Sequence, residues 1–256
     1  MKYFLAFLKK ELVACLRGGH LLFLAILFLA LGIMNPAIAK LTPWMMELFA
    51  ESLSEMGIIP GEIHVDALTS WTQFFKNIPI GLITLVLLRS GSLTGEYESG
   101  TLILLLTKGL SRRHVLFAKA TVTLGLWTLG YWLCFVITHC YNTYFWDCSI
   151  AVGLLPSVLL YWLFGIWVLS LSLLFSALAR QYVGVLLGTG GTVLAVYLIG
   201  LIPKASNWMP TALLQSGTIL LGGVTVSDLG VALAVACLSA LGAILLAMPL
   251  LDRKQF

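Results

Sequence analysis

Acidic and basic side chains are concentrated in residues 89–119, which hold seven of the 26 in the chain. They are Arg89, Glu96, Glu98, Lys108, Arg112, Arg113 and Lys119. A run of five apolar residues, 102–106, separates the two glutamates from the basic residues that follow. A short helix with this pattern can bury its apolar side in a groove of another protein, while its charges fix its position there. The residue types alone leave two uses open, docking on another protein or anchoring the segment at a membrane surface, and they give no sign of catalysis.

A second group of reactive side chains comprises His139, Cys140, Asp147 and Cys148. Cys140 and Cys148 could form a disulfide in an oxidising compartment, or they could bind a soft metal such as copper with His139. The C-x₇-C spacing matches no recognised metal-ligand pattern, so two unpaired thiols are the third alternative. The sequence leaves all three open.

Motifs for common catalytic chemistry are missing from the sequence. It contains no G-x-x-x-x-G-K-S/T phosphate loop, so we do not expect the chain to bind ATP in the usual way by itself. It also has no H-E-x-x-H zinc motif and no G-x-S-G serine motif. The net charge of +4 is small, and the basic residues flank apolar segments, which gives no reason to expect nucleic acid as a partner.

The apolar composition sets the fold class. Apolar residues make up 60% of the 256 residues and charged residues 10%, against roughly 45–50% and 25% in soluble domains. Apolar runs near or above the roughly 18–20 residues that cross a bilayer recur along the chain. We predict an all-α polytopic membrane protein with one domain, residues 1–256. Its six transmembrane helices are expected at residues 21–39, 75–93, 115–138, 154–176, 183–202 and 229–250.

The distribution of basic residues predicts the orientation of these helices. An even number of spans places both chain ends on one side, and cytoplasmic loops carry an excess of Lys and Arg. With both ends in the cytoplasm, 12 basic residues lie inside and 3 outside. We therefore predict a multi-pass protein of the plasma or inner membrane with cytoplasmic termini. Arg89, near the inner end of the second span, is expected to reach the headgroups by snorkelling.

Two amphipathic segments flank the first span. In residues 1–17 the apolar positions recur at helical spacing: Phe4, Leu5, Leu8, Leu12 and Leu16. Because Lys9, Lys10 and Arg17 lie off that stripe, the segment is typical of a helix in the membrane interface. This helix and Glu11 argue against the alternative of a cleaved signal peptide. In residues 40–74 we predict an outer amphipathic helix that starts at Pro43 and ends at Gly57.

The charged stretch resembles the first cytoplasmic loop of the type-2 ATP-binding-cassette (ABC) exporter permeases. The pattern of that family is an acidic pair, Gly-Thr-Leu, a leucine run, a turn with Ser-Arg, and a lysine before the third span. The matching residues here are Glu96, Glu98, Gly100, Thr101, Leu102, Leu104, Leu105, Ser111, Arg112 and Lys119. The opening Lys9-Lys10-Glu11-Leu12 is also similar to that of the family. Gly109-Leu110 stands where the family commonly has a proline.

The resemblance implies a non-catalytic permease subunit. In such exporters two permease subunits, identical or paralogous, pair with two separate ABC ATPase subunits, which bind ATP and Mg²⁺. Residues 94–114 would form a cytoplasmic coupling loop, with a coupling helix that docks on the ATPase. The residues implied in this contact are Glu96, Glu98, Gly100, Thr101, Leu102, Leu104, Leu105, Arg112 and Arg113. The glutamates would lie at the start of that helix, where its dipole favours acids.

Segments outside the charged stretch indicate the class of substrate and the alternative functions. Leucine-rich spans with few charges favour the export of an apolar or amphipathic substrate, such as a drug, a lipid or a peptide. Small residues in the fifth span, Gly184, Gly188, Gly190 and Gly191, either pack within the bundle or contact a second permease subunit. The coupling loop, residues 94–114, could instead be only a topological anchor that does not dock on an ATPase. The chain could also be a membrane-embedded assembly factor or enzyme that uses the outer His/Cys group, since one branch of the resembled family serves copper-enzyme maturation.

Overall fold

Long helices account for most of the chain. The computed structural model describes residues 2–49, 65–102, 107 and 109–253, and these residues contain no β-strand. The helices are α1 (Lys2–Arg17), α2 (His20–Leu48), α3 (Ala67–Glu98), α4 (Arg112–Phe145), α5 (Leu154–Leu178), α6 (Tyr182–Gly200), α7 (Pro203–Ser206), α8 (Ser216–Leu220) and α9 (Gly230–Arg253). Two short 3-10 turns, Cys148–Ile150 and Pro210–Leu214, lie in the connections.

Six of these helices are long and apolar enough to cross a membrane: α2, α3, α4, α5, α6 and α9. Their positions agree with the six predicted spans, and the predicted fold class is confirmed. α3 and α4 have 32 and 34 residues, which makes them roughly 48 and 51 Å long at 1.5 Å per residue. Because the hydrocarbon core is about 30 Å thick, both helices extend beyond it.

α5 occupies the centre of the bundle and α6 its edge. Fifteen residues of α5 are buried, whereas Val185 and Thr189 are the buried residues of α6. Gly188 packs so closely on the ring of Phe175 that a side chain would not fit there. Gly190 and Gly191, in contrast, face open space. The glycine-rich helix therefore uses one face for packing within the bundle and leaves another uncovered.

α1 is a separate helix, as predicted, and it joins α2 through a tight turn. Gly19 has a φ of 70°, in the left-handed region that glycine adopts without strain. Three residues of α1 are buried against the bundle: Phe7, Glu11 and Cys15. Three leucines of the predicted stripe are exposed instead: Leu5, Leu12 and Leu16. We expect these leucines to contact the membrane interface, while the side of α1 that faces the protein carries a glutamate at its centre.

α2 is longer than the first predicted span. It runs through Pro36 and Pro43 without ending, so the predicted helix start at Pro43 is wrong and residues 40–48 continue α2. The remainder of the predicted outer helix, residues 50–57, lies outside the described residues. Lys40 Nζ lies 3.7 Å from the ring centroid of Phe145, which joins this end of α2 to the end of α4.

α1 and the last turn of α9 lie at the same end of the bundle. Phe7 of α1 shares an apolar cluster with Leu116 of α4 and Leu251 of α9. Arg112, at the start of α4, donates from Nη1 to the backbone oxygen of Leu251 at 2.7 Å. This agrees with an even number of spans, and the side of the membrane that the ends face stays a prediction. We call this the inner end of the bundle, and the end with the α4–α5 connection the outer end.

Candidate functional site

The charged stretch lies at the inner end, where α3 ends at Glu98 and α4 begins at Arg112. Ser111 caps α4, because its Oγ accepts a hydrogen bond from the backbone N–H of His114 at 3.3 Å. Leu102 is 1% exposed and belongs to the inner apolar cluster. Of the predicted leucine run, Leu102 therefore packs within the chain itself. Leu104 and Leu105 lie outside the described residues, so their predicted contact with an ATPase stays a prediction.

Glu96 and Glu98 lie in the last turn of α3. They precede the helical residues Thr101 and Leu102, and their predicted role at the start of a coupling helix stays a prediction. The C-terminal end of α3, where they lie, carries partial negative charge and disfavours acids. Glu98 is exposed, which limits this cost. The side chain of Glu96 is 13% exposed and requires nearby cations.

Those cations belong to an ion cluster of five residues: Lys10, Glu11, Arg89, Glu96 and Lys119. Lys119 Nζ lies 3.2 Å from Glu11 Oε1 and 3.3 Å from Glu96 Oε2. Lys10 Nζ lies 3.0 Å from Glu11 Oε1 and 2.6 Å from Glu96 Oε1. Arg89 Nη2 lies 3.6 Å from Glu11 Oε2. The ion cluster therefore joins α1, α3 and α4 through charges that are mostly withdrawn from water.

Arg89 is buried in this cluster, with 7% of its side chain exposed. The prediction that it snorkels to the headgroups is therefore wrong. Its Nε donates to Thr123 Oγ1 at 3.1 Å, and its Nη1 donates to Cys15 Sγ at 3.3 Å. The side chain is held by partners on α1 and α4, so it acts as a link between helices.

The charges of α1 are stabilised by their neighbours. Burial by itself would raise the pKa of Glu11, but Lys119 and Lys10 outweigh it and hold that pKa below its ordinary value. Burial would likewise lower the pKa of Lys10, but hydrogen bonds and charge interactions with Glu96 and Glu11 raise it above its ordinary value. Both side chains are consequently charged at neutral pH.

Exposed residues follow directly after α3. The chain turns at Gly100, whose φ of 67° is left-handed. Glu98, Ser99 and Thr101 around this turn are exposed. A second left-handed residue, Gly109 with a φ of 87°, stands where the resembled family commonly has proline. Proline is locked near a φ of about −65°, so the departure from the family pattern reflects a different turn.

Arg112 and Arg113, the last two predicted contacts, reach the end of α9. Arg112 Nη1 donates to the backbone oxygens of Leu251 and Asp252 at 2.7 and 3.0 Å, and basic residues commonly satisfy the last carbonyls of a helix in this way. Arg113 Nε donates to Asp252 Oδ2 at 3.1 Å, and its side chain is 65% exposed. Arg113 therefore remains accessible to a partner, while Arg112 is committed to contacts within the chain.

The sequence that builds this arrangement matches a known family. A family model described as ABC-2 family transporter protein matches residues 5–220. The chain belongs to this ABC-2 family. The match runs from α1 to the end of α8 and includes the ion cluster and residues 94–114. The chain is therefore a membrane permease of an ABC transporter, as the resemblance implied. Neither a search of curated proteins nor a search of solved structures found a match.

The outer His/Cys group does not converge in this ABC-2 permease. The ring of His139 stacks on that of Phe135, with centroids 5.7 Å apart, and so faces the bundle. Cys140 is exposed, and Cys140 and Cys148 both carry free thiols in the structure. Among the described residues, no three His, Cys, Asp or Glu side chains come together to hold a metal. The structure thus lends no support to the disulfide and metal hypotheses, and the state of the thiols stays a prediction.

Four residues of the ion cluster were not among the predicted site residues of the permease: Lys10, Glu11, Arg89 and Lys119. The sequence does carry a signal for Glu11. It lies four residues after Phe7 and four before Cys15, so a helix places all three on one face. A glutamate at the centre of an otherwise apolar face indicates a buried basic partner. Which basic residues supply it depends on the packing of α3 and α4, which the spacing does not encode.

Proposed function

We propose that the chain is the transmembrane subunit of an ATP-driven exporter and that its inner end couples to a separate ATPase subunit. Two ATPase copies would bind ATP and Mg²⁺, and a second permease subunit, identical or paralogous, would complete the transporter. The observation that carries the coupling role is the position of the turn at residues 98–101. It is exposed, yet it directly follows Glu96, which is tied to α1 and α4 through Lys10 and Lys119.

The turn at residues 98–101 is connected to several helices, so its displacement would move them. A partner that displaced Glu98 and Thr101 would move α3, which has 32 residues. The displacement would also reach α1 and α4 through the ion cluster, and α9 through Arg112. A loop that served as a topological anchor alone would need positive charge, but it would not need these links to four helices.

A lateral cavity supports an apolar or amphipathic substrate. It has a volume of about 480 Å³ and lies between α3, α5 and α6, within the roughly 300–1,000 Å³ typical of ligand sites. Leu82, Phe164 and Val193 are among its apolar lining residues. Thr189 also lines it, and its buried Oγ1 has no hydrogen-bond partner among the described residues. A mostly apolar molecule with one polar group would satisfy both features.

The uncovered face of α6 supports pairing with a second permease. Leu187, Leu194 and Leu198 are 71, 58 and 54% exposed, and Gly190 and Gly191 beside them would allow a close approach of another helix. The cavity opens beside this face, so a second subunit would complete its wall.

A charge reversal at the exposed turn tests the coupling role. Glu98→Lys should weaken co-purification of an ATPase subunit carrying a phosphate loop, and should reduce transport-linked ATP hydrolysis. A lost charge-assisted contact costs roughly 1.5–3 kcal/mol, which is about tenfold or more in affinity. Glu98 is a sharper choice than Glu96, because reversal of Glu96 would also break the ion cluster. Leu104→Asp with Leu105→Asp tests the leucine run in the same assay.

Glu47→Lys is the matched control, since Glu47 is exposed at the outer end of α2. It should leave ATPase association at the parental level when the two variants are equally expressed in the membrane. If Glu98→Lys and the double leucine variant both bind and couple like the parent, residues 94–114 are an anchor and the coupling role is refuted.

The cavity can be tested separately in the reconstituted transporter. Val193→Trp should fill it and abolish the stimulation of ATP hydrolysis by apolar compounds, with basal hydrolysis retained. Leu238→Trp is the control, because Leu238 is exposed on α9, outside both the cavity lining and the uncovered face of α6. Equal stimulation of both variants and the parent would remove the cavity from the substrate path.

A further inference from the structure

A second cavity, of about 390 Å³, lies at the inner end beside the ion cluster. All five residues of the ion cluster line it, together with His20 and small residues of α1 and α3. Lys10, Arg89 and Lys119 are cationic, whereas Glu11 and Glu96 are anionic. The lining therefore carries one surplus positive charge before any charge on His20 is counted. A surplus charge in a partly buried site favours an anionic occupant.

An unfilled donor lies beside the surplus charge. Lys119 Nζ donates to Glu11 Oε1 and to the backbone oxygen of Ser92 at 3.2 and 2.7 Å, and it forms an ion pair with Glu96 Oε2 at 3.3 Å, an oxygen without a hydrogen-bond partner among the described residues. Arg89 Nη2 is different. It is buried, its contact with Glu11 is an ion pair at 3.6 Å, and it has no hydrogen-bond acceptor among the described residues. A buried guanidinium nitrogen without an acceptor is costly, and an oxygen ligand in the cavity would remove that cost.

The position of the cavity indicates which oxyanion is available. α1 exposes Leu5, Leu12 and Leu16, a pattern that places an amphipathic helix at the depth of the lipid headgroups. Guanidinium groups are well suited to phosphate oxygens. A phosphodiester carries a single negative charge, which equals the surplus, whereas a phosphate monoester carries about −1.5 to −2 at pH 7. The two carboxylates of the cavity would disfavour the more highly charged species.

We propose that this cavity binds one phosphate group, contributed by the phosphodiester of a membrane phospholipid. Arg89 Nη2 donates to it, and Lys10, which is half exposed at the rim, supplies further positive charge. The bound lipid stabilises the contact of α1 with α3 and α4. The proposal does not depend on the exporter role, because it concerns the resting ion cluster.

Native mass spectrometry of the purified full chain in detergent tests this, with three probes at matched concentrations. Dioctanoyl phosphatidylglycerol carries the phosphodiester, dioctanoylglycerol has the same acyl chains without it, and inorganic phosphate lacks the chains. We expect saturable binding of one phosphatidylglycerol and no comparable binding of dioctanoylglycerol. Binding of inorganic phosphate alone would support the phosphate site and assign its ligand to the solvent. Equal binding of the two lipids would overturn the proposal.

Variants with opposite expected signs separate the site from a structural effect. Arg89→Gln removes the surplus charge and the unfilled donor, and should weaken binding at least about tenfold. Glu96→Gln raises the surplus by one and should tighten binding several-fold, a gain that damage to the fold would not produce. Arg113→Gln, an exposed arginine outside the cavity, should change nothing.

If Arg89→Gln does not yield monodisperse protein, Lys10→Gln replaces it, since Lys10 lies at the exposed rim, and should weaken binding several-fold. Unchanged affinity in the arginine or lysine variant together with no gain in Glu96→Gln would refute the site.

Discussion

At the inner end of the bundle, α3 and α4 meet through ions, and at the outer end the same two helices meet through neutral groups. The outer contacts form a chain of hydrogen bonds. Asn77 Nδ2 donates to Asn35 Oδ1 at 2.9 Å, Asn35 Nδ2 to Thr138 Oγ1 at 3.2 Å, and Thr138 Oγ1 to the backbone oxygen of Gly32 at 3.0 Å. We call this the amide chain. It joins α3, α2 and α4 without a formal charge.

The two ends also differ in how their buried polar groups are compensated. Beside the amide chain, Ser70, Trp71, His139 and Asn142 have buried polar atoms without hydrogen-bond partners among the described residues. In the ion cluster, Arg89 Nη2 and Glu96 Oε2 also lack such partners, but each buried charged group has an oppositely charged neighbour within 4 Å. An uncompensated buried charge costs far more free energy than an unsatisfied amide. Loss of a partner should therefore destabilise the inner end more than the outer end. The ion cluster should accordingly be the more sensitive end to substitution.

The largest expected effect is therefore the removal of a buried cation from the ion cluster. Lys119→Met should lower the free energy of unfolding by about 3–5 kcal/mol, because it leaves Glu11 and Glu96 buried with less compensation. Denaturant or thermal unfolding of the detergent-purified chain measures this. Lys10→Met is the matched control and should cost about 1 kcal/mol or less, since the side chain of Lys10 is 48% exposed. Similar losses for the two lysines would contradict the comparison.

The sequence predicted the helices better than the contacts between them. The six spans and the separate helix α1 follow from apolar runs and helical spacing, which are local properties. The wrong predictions have non-local causes. Arg89 was expected to snorkel, but Glu11, 78 positions earlier in the chain, compensates it inside the bundle. Pro43 was expected to start a helix, yet α2 passes through it, because a proline can remain within a membrane helix when neighbours satisfy the freed backbone groups.

The same limit applied within the candidate site. The pattern of the resembled family pointed to Glu96, Glu98 and Lys119 as residues of one functional stretch. It did not reveal that Glu96 faces inwards and Glu98 outwards. That difference depends on where α3 ends, and helix ends are the least certain part of any prediction from spacing.

The amide chain should be the next most sensitive feature. Asn35→Leu removes both the acceptor of Asn77 and the donor to Thr138, and should cost about 1–3 kcal/mol of unfolding free energy, because it leaves buried polar groups unsatisfied. Asn142→Leu is the informative counterpart. Its side-chain amide has no partner among the described residues, so its replacement by an apolar side chain should be nearly neutral or stabilising. A loss of equal size in both variants would show that Asn142 has a polar partner.

A smaller effect is the pH dependence of stability that Glu11 contributes at the inner end. The folded pKa of Glu11 is lowered, so its ion pairs contribute stability that is fully present above the unfolded pKa of about 4.3. This contribution is lost as the pH falls through the lower folded pKa. Melting temperatures measured from pH 7 to pH 3 should fall less steeply in Glu11→Gln than in the parent.

Two carboxylates at the outer end also contribute to the pH dependence of stability, and their contribution must be distinguished from that of Glu11. Hydrogen bonds to Ser149 and Thr225 lower the pKa values of Asp147 and Asp228, so these groups also lose stabilising contacts in acid. Their contribution is common to the parent and to Glu11→Gln, and the difference between the two curves isolates Glu11. Parallel curves would indicate that Glu11 keeps its ordinary pKa in the folded protein.

The smallest perturbation uses the cysteines, because a thiol probe reports on both ends without altering the fold. Cys15 lies in the ion cluster region and is 2% exposed, whereas Cys140 at the outer end is exposed and free. Burial and the carboxylate of Asp147 raise the pKa of Cys148, which lowers its thiolate fraction and slows its reaction. A membrane-impermeant maleimide applied to intact cells should therefore label Cys140 first, Cys148 more slowly and Cys15 not at all. Cys140→Ser identifies the fast component.

Labelling that appears only after reduction would instead establish a disulfide between Cys140 and Cys148. Labelling that requires permeabilised cells would place the outer end in the cytoplasm, and with it would reverse the predicted orientation and remove the inner end from reach of a cytoplasmic ATPase.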